Sequence, residues 1–169
     1  RGLVNLMHIF EAWPASKPIC VHAEGESVAL AIGFATIYKK HVHICHVSRK
    51  SEIELIAQAK ASGLPVTCEV TPHHLFLTDT DAARLGPYGD VRPTLRSVED
   101  QEALWNHLNS TIDCIASDHA PHTREEKEQP EGSPPGVPGL ESTLPLMLTA
   151  AAQSRLTTTR LIELLSTNP

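Results

Sequence analysis

Four short apolar runs, each followed by polar or titratable side chains, constrain the fold of this chain more than any other feature. They cover 19–22, 41–47, 64–70 and 112–115. Runs of this length, rich in Val, Ile and Cys, are typical of strands buried in a parallel sheet. Helical patterns separate the runs, which predicts right-handed crossovers and an α/β fold. Four such units correspond to half of an eight-stranded (β/α)8 barrel.

Imidazole or carboxylate groups follow where these runs end. His22 ends the first run, His46 the second and Asp118 the fourth, whereas the third contains Glu69 and leads into His73–His74. The carboxyl ends of parallel strands lie at one mouth of a barrel, and both groups are zinc ligands, so the sequence predicts a metal site there. The alternative for the histidines is an unrelated hydrogen-bonded or surface role. The pair His73–His74 is expected either to orient ligands or to be merely polar at a strand exit.

Asp118 is also the candidate catalytic residue, because a carboxylate beside an activated water can accept its proton as a general base. Its alternative is a helix N-cap. Cys45 and Glu69 lie beside the same mouth and have the chemistry for an additional zinc ion. A regular strand would point Cys45 to the face opposite His46, so a buried core thiol is the alternative there.

Composition restricts the partners and the compartment. The net charge is -6 and the basic residues are scattered, which argues against a nucleic-acid partner. No apolar run approaches the roughly 20 residues that span a bilayer, so we expect a soluble protein without membrane contact. The four cysteines lie within apolar runs and form no Cys-x-x-Cys pair, which is typical of reduced thiols in a cytoplasmic protein.

The segments between the strands carry weaker signals. Residues 51–54 match a capping box that would begin a helix, and 78–95 resemble a loop. Residues 123–139 are too polar for a core and long enough for an active-site loop. Further helices are expected around 140–153, with a kink or late start at Pro145, and around 158–166.

Several motifs resemble dihydroorotases of the amidohydrolase superfamily. They are Val-His-Ala-Glu at 21–24, His-Ile-Cys-His-Val-Ser at 43–48, Glu-Val-Thr-Pro-His-His-Leu at 69–75 and Ala-Ser-Asp-His-Ala-Pro-His-Thr at 116–123, followed by Glu-Glu-Lys at 125–127. Segments 10–14 and 135–141 resemble in particular the dihydroorotase domain of the animal multifunctional pyrimidine-synthesis polypeptide. The resemblance spans nearly the whole chain.

The resemblance implies an enzyme with two zinc ions at the barrel mouth that interconverts N-carbamoyl-L-aspartate and L-dihydroorotate in pyrimidine synthesis. His22 and His46 match the histidines that bind one metal, and Asp118 matches the aspartate that binds the other. In the family this aspartate also carries the proton from the attacking water to the leaving nitrogen.

The resemblance also implies a substrate side. Arg92 and His122 match residues that hold the substrate carboxylate, and the backbone at Pro135 and Gly136 matches a loop that contacts the ring. A planar guanidinium can bind a carboxylate through two hydrogen bonds. Without the resemblance, Arg92 would be read as an exposed loop arginine.

Some family features have no counterpart in these residues: the His-x-His pair, the metal-bridging lysine and the upstream Arg and Asn. Residues 1–169 are therefore expected to form a partial domain, the C-terminal half of the barrel, with the first strands upstream and the barrel end downstream. An open sheet edge and an incomplete core would leave this piece poorly stable and inactive by itself.

Partners and rival functions follow from the same resemblance. It implies a small-molecule substrate, fusion or association with carbamoyl-phosphate synthetase and aspartate transcarbamoylase, and a homo-oligomer. One rival is an allantoinase or hydantoinase, with the same barrel and different substrate-side residues. The other is an inactive barrel that serves as a structural partner of a transcarbamoylase, which would be expected to lose ligands.

Overall fold

A computed structural model describes residues 2–129 and 132–169 and contains a four-stranded parallel sheet in the order β1-β2-β3-β4. The strands are β1 (Ile19–Val21), β2 (Val42–Ile44), β3 (Val66–Val70) and β4 (Cys114–Ile115). Each strand pairs with the next in sequence; in the last pair, Glu69 lies opposite Cys114. The predicted succession of βα units is confirmed.

Helices lie before, between and after the strands. They are α1 (Gly2–Ala12), α2 (Glu26–Tyr38), α3 (Lys50–Ala61), α4 (Pro72–Phe76), α5 (Asp79–Leu85), a 3-10 turn (Gly86–Gly89), α6 (Val98–His107), α7 (Arg124–Lys127), α8 (Gly139–Ala152), α9 (Thr158–Ile162) and a π-helix (Glu163–Thr167). Within 2–129 and 132–169, no helix has the length and apolarity that crossing a membrane requires.

The two faces of the sheet differ in chemistry because side chains alternate along a strand. On one face Val42, Ile44 and Val66 are buried in a core shared with helices α2 and α3. The other face lines a cavity whose polar or thiol side chains include Cys20, His43, Cys45, Thr67, Glu69 and Cys114. The helix-covered side is therefore a core, and the opposite side carries groups that can bind ligands.

The strands are shorter than the apolar runs that predicted them. β2 ends at Ile44 because His46 has a φ of 35°, in the left-handed region that extended backbone does not enter. β3 begins only after Pro65, whose nitrogen has no hydrogen to donate to a ladder. The regular alternation expected through Val47 therefore stops before the predicted ligand His46.

Several helix boundaries differ from the sequence predictions. Residues 78–95 are not simply a loop, since α5 follows Thr78, whose N–H donates to Asp81 at 3.0 Å. No residue of α5 is buried, so the helix has no apolar periodicity that would reveal it. Helix α3 begins at Lys50, before the predicted box at 51–54. Helix α8 includes Pro145, so the predicted late start is wrong.

Candidate active site

His22 and His46 come together at the carboxyl ends of β1 and β2. The Nδ1 atom of His22 lies 2.8 Å from the Nε2 atom of His46. The ring planes are inclined at 70°, with centroids 4.6 Å apart. His46 is buried and His22 is exposed, so the pair lies at the boundary between the protein interior and solvent. Two predicted ligands thus present nitrogen atoms to one point.

The facing nitrogens fit a shared zinc ion. Zn–N bonds of about 2.0–2.1 Å in tetrahedral geometry place two ligand nitrogens about 3.3 Å apart. The 2.8 Å separation therefore needs to widen by only about half an ångström. Without a cation, one proton at most can lie between the two rings, whereas a metal uses both lone pairs. His22 and His46 could accordingly hold one metal.

Asp118 lies three residues beyond β4, is exposed, and has a φ of 45°. A non-glycine residue at positive φ is strained, and such residues cluster at functional sites. His46 shares this feature, whereas Lys39 caps α2 and Ser154 follows the end of α8. The backbone is thus unusual at two of the three predicted ligands.

Within the described ranges, the structure brings together a group of three possible metal ligands that differs from the predicted set. Donor atoms of His43, Glu69 and Cys114 lie within 4.8 Å of one another on the polar sheet face. His43 Nε2 is 3.0 Å from Glu69 Oε2, and the other Glu69 oxygen accepts the N–H of His46 at 3.3 Å. The predicted set of His22, His46 and Asp118 does not form so tight a group.

Cys45 and Glu69 both belong to this polar face. Burial, the charge of Glu69 and the neighbouring Cys20 raise the pKa of Cys45 to about 12, so the free thiol is neutral at pH 7. Burial would raise the pKa of Glu69, but hydrogen bonds from His43 and from the His46 N–H outweigh it and lower the pKa overall. Glu69 is therefore a carboxylate that links the cluster to the histidine pair.

His73 and His74 lie in α4 and are buried rather than displayed at a strand exit. Burial lowers the pKa of His73 to about 3 and that of His74 to about 4, so both are neutral at pH 7. His74 contacts Thr71 Oγ1 at 2.7 Å and the carbonyl oxygen of Pro93 at 3.1 Å. It ties the exit of β3 to the segment that carries Arg92.

The residues predicted to hold substrate lie in one connected group of loops. Arg92 is exposed and forms an ion pair with Asp90. The carbonyl of Asp90 accepts the N–H of Gly136 at 2.9 Å, and His122 Nε2 lies 3.3 Å from the carbonyl oxygen of Pro135. We call residues 90–92 and 134–136 the substrate-side loops. Their contacts bring Arg92, His122 and Pro135 into one region.

Lys127 organises the substrate-side loops, and sequence reasoning did not assign it a role. It is only 4% exposed. Its Nζ donates to the carbonyl oxygens of Asp90 at 3.3 Å, Pro134 at 2.8 Å and Gly136 at 3.1 Å. Burial lowers the pKa of Lys127. The sequence analysis placed Lys127 in the polar segment 123–139, so only the tertiary contacts reveal this role.

Comparison with known proteins identifies the family. No protein-family profile matches the chain. It is 52% identical over 164 residues to the multifunctional protein CAD of Squalus acanthias. The aligned residues make up 96% of this chain and 7% of that protein. It is 46% identical over 138 residues to the dihydroorotase of Staphylococcus aureus strain Mu50. Those residues make up 80% of this chain and 32% of that enzyme. The chain belongs to the dihydroorotase family.

Solved structures place this dihydroorotase-family chain among the amidohydrolases. The L-hydantoinase of Arthrobacter aurescens matches 98% of it with a TM-score of 0.90 and 30% identity. The inactive dihydroorotase-like domain of a Chaetomium thermophilum CAD-like protein matches 99% with a TM-score of 0.82 and 32% identity. The chain spans 46% and 47% of these two structures. The predicted α/β partial barrel is confirmed.

His43 and Cys114 were missed by the sequence analysis of this dihydroorotase-family chain. A sequence signal existed for His43 alone, because alternation along the second run puts it on the face opposite Val42 and Ile44. Cys114 joins it through the register that pairs Cys114 with Glu69. Only strand register, which a single sequence does not contain, shows that these side chains meet.

Proposed function

We propose that the complete protein containing this chain is a dihydroorotase, a metal-dependent cyclic amide hydrolase that interconverts N-carbamoyl-L-aspartate and L-dihydroorotate. The observation that supports it most is the pair of facing nitrogens of His22 and His46. The same chain also contains Asp118, with its strained backbone, and the substrate-side loops. The 46% identity to an enzyme named dihydroorotase supports the same reaction.

Zinc is the proposed cofactor, with two ions in the complete domain. His22 and His46 would hold one ion and Asp118 the other, and Cys45 and Glu69 are the candidates for an additional one. Bound zinc polarises a carbonyl and lowers the pKa of water to about 7, which ring opening at neutral pH requires.

Residues of this chain would also transfer the proton and bind the substrate. Asp118 accepts a proton from the attacking water and returns it to the ring nitrogen that leaves. The Arg92 guanidinium binds the substrate carboxylate, for which it must exchange its present partner Asp90. His122 binds the same carboxylate, and the backbone at Pro135 and Gly136 contacts the ring.

We propose that residues 1–169 contribute part of a barrel, with the His-x-His pair and the bridging lysine supplied by other parts of the complete protein. The polar sheet face supports this, since it carries ligand-type side chains that a closed barrel would enclose. The relatives named multifunctional proteins support fusion with other pyrimidine-synthesis enzymes. The four free cysteines fit a cytoplasmic location.

Two solved relatives define the rival functions. The L-hydantoinase suggests another cyclic amide substrate, and the inactive dihydroorotase-like domain suggests a structural role. The presence of His22, His46 and Asp118 favours an active enzyme over an inactive barrel.

Ring opening of L-dihydroorotate by the complete protein, with and without a zinc chelator, tests the proposal beside parallel assays on allantoin and hydantoin. We expect chelator-sensitive activity on dihydroorotate alone. Activity confined to hydantoin or allantoin would assign the rival enzyme class. Absence of activity on all three substrates, in a protein that is folded and loaded with zinc, would support the structural role.

A further inference from the structure

Glu52 is a buried carboxylate that has no place in the site assigned so far. It lies in the first turn of α3 and is 2% exposed. One oxygen, Oε1, accepts the N–H of Gly25 at 2.6 Å. The other, Oε2, accepts the N–H groups of Ser48 at 3.1 Å and Arg49 at 3.0 Å. A single side chain therefore binds three backbone donors.

These donors belong to the two loops that carry the histidine pair. Gly25 follows His22 by three residues, and Ser48 follows His46 by two. Gly25 has a φ of 56°, a conformation that glycine adopts without strain, and this turn delivers its N–H to the carboxylate. The two oxygens of Glu52 thus join the loop after β1 to the loop after β2, close to the point where the imidazoles face each other.

Capping of α3 explains only half of this arrangement. Acceptance of the Ser48 and Arg49 N–H groups satisfies donors at the start of the helix, and a carboxylate there is favoured by the helix dipole. The contact with Gly25 is different, because it crosses 27 residues to another loop. Charge-assisted hydrogen bonds are about twice as strong as neutral ones, so both halves of the connection resist opening.

We propose that Glu52 is a positioning residue, which holds the loops of His22 and His46 together before metal binds and so sets the affinity of this pair for zinc. The inference rests on the metal site of the proposed function. If the loops were free, metal binding would have to order both of them, and the ordering cost would be subtracted from the affinity. With the loops joined, the facing nitrogens are already close to the separation that zinc requires.

The test compares zinc affinity in the complete protein and its Glu52→Gln variant, by competition with a chromophoric chelator. Glutamine keeps the size but turns an N–H donor toward one of the backbone donors, so one side of the connection is lost. We expect the dissociation constant for zinc to rise about 10- to 100-fold, the usual effect of losing a group that orients a ligand. Glu54→Gln, at an exposed position of the same helix, is the matched control and should stay within about twofold. His22→Ala identifies which bound zinc is measured.

An unchanged zinc affinity in a folded Glu52→Gln variant would overturn the inference. A second measurement needs no variant and covers the case in which this one does not fold. Hydrogen exchange of the wild-type protein should show Gly25, Ser48 and Arg49 equally protected with and without zinc. Fast exchange of these amides in the zinc-free protein would mean that the metal, and not Glu52, joins the loops.

The outcomes separate this inference from the proposed reaction. Zinc affinity is measured without substrate, so a Glu52-dependent site in a protein inactive on dihydroorotate refutes the reaction and leaves the inference standing. If the protein is an active dihydroorotase and Glu52→Gln does not change its zinc affinity, only the inference is refuted. A protein from which His22→Ala removes no zinc refutes the metal site and, with it, the inference.

Discussion

Two buried charges of opposite sign organise the two sides of the candidate site, and they do so in different surroundings. Glu52 accepts three N–H groups from loops that begin at the ends of β1 and β2. Lys127 donates to three carbonyl oxygens in the substrate-side loops, which adjoin no strand of the sheet. The metal side thus has two supports, the sheet and a carboxylate, whereas the substrate side relies on the lysine and on hydrogen bonds between its own loops.

The difference follows from distance along the chain. His22 comes directly after β1 and His46 two residues after β2, so the ladder already limits where their backbones lie. His122 is seven residues beyond β4, and Pro135 lies farther still. Positions so far from a strand need a tertiary contact to be ordered. Rigid metal ligands and more mobile substrate contacts are the expected consequence.

The largest effect is expected from Asp118→Asn in the complete protein. Asparagine can still offer an oxygen to a metal, but it cannot accept a proton, so turnover of dihydroorotate should fall about 10²- to 10⁴-fold. Zinc content, measured by elemental analysis, should stay near the wild-type value. Asp79→Asn, at an exposed carboxylate, serves as the control. Wild-type turnover in Asp118→Asn would remove the assigned role.

Lys127→Met breaks the substrate side alone. Methionine matches the length of the side chain but leaves three carbonyl oxygens without their donor, so unfolding in urea should need less free energy by about 1–3 kcal/mol. The KM for dihydroorotate should rise, while zinc affinity should not change. The exposed Lys17→Met is the control. Loss of zinc in Lys127→Met would contradict the division into two independently supported sides.

Stability should fall in acid because of the buried histidines that lie between the two sides. The pKa of His73 is about 3 and that of His74 about 4 in the folded protein, against 6.5 when exposed. Below pH 6.5 these histidines bind protons in the unfolded chain but stay neutral in the folded chain. Their contribution to the free energy of unfolding is therefore complete above that pH and is lost toward pH 4. The loss is roughly 1.4 kcal/mol per pH unit for each histidine.

Urea unfolding of the complete protein at pH 7 and pH 5 measures this slope. His73→Gln removes one titrating group and should flatten it. His8→Gln, at an exposed position, is the control. A slope identical in His73→Gln and the wild type would show that His73 does not titrate as a buried group.

Arg92→Lys should have the smallest effect. Lysine keeps the charge but cannot bind a carboxylate through two parallel hydrogen bonds, so the KM for dihydroorotate should rise about tenfold, equivalent to about 1.4 kcal/mol. Zinc affinity should not change, since Arg92 belongs to the substrate-side loops. Arg84→Lys, exposed in α5, is the matched control. Equal KM values in the wild type and Arg92→Lys would exclude bidentate binding by Arg92.

Much of the architecture was predictable because burial imposes a pattern on the chain. The apolar faces of β1 to β3 and the buried faces of α3 and α6 leave periodic signals that need no knowledge of distant residues. Helix α5 was missed because none of its residues is buried. The end of β2 was misjudged because positive φ at His46 is a property of folded backbone, which side-chain pattern does not encode.

The sequence by itself determined the succession of βα units and the presence of His22, His46 and Asp118 after three of the strands, because strand ends and polar residues are both local features. Only the tertiary structure decided that Glu52 joins two loops across 27 residues, that Lys127 is buried among carbonyl groups, and that His43, Glu69 and Cys114 converge. Those contacts depend on strand register and on loop paths, which arise when the whole chain packs and which no short stretch of residues specifies.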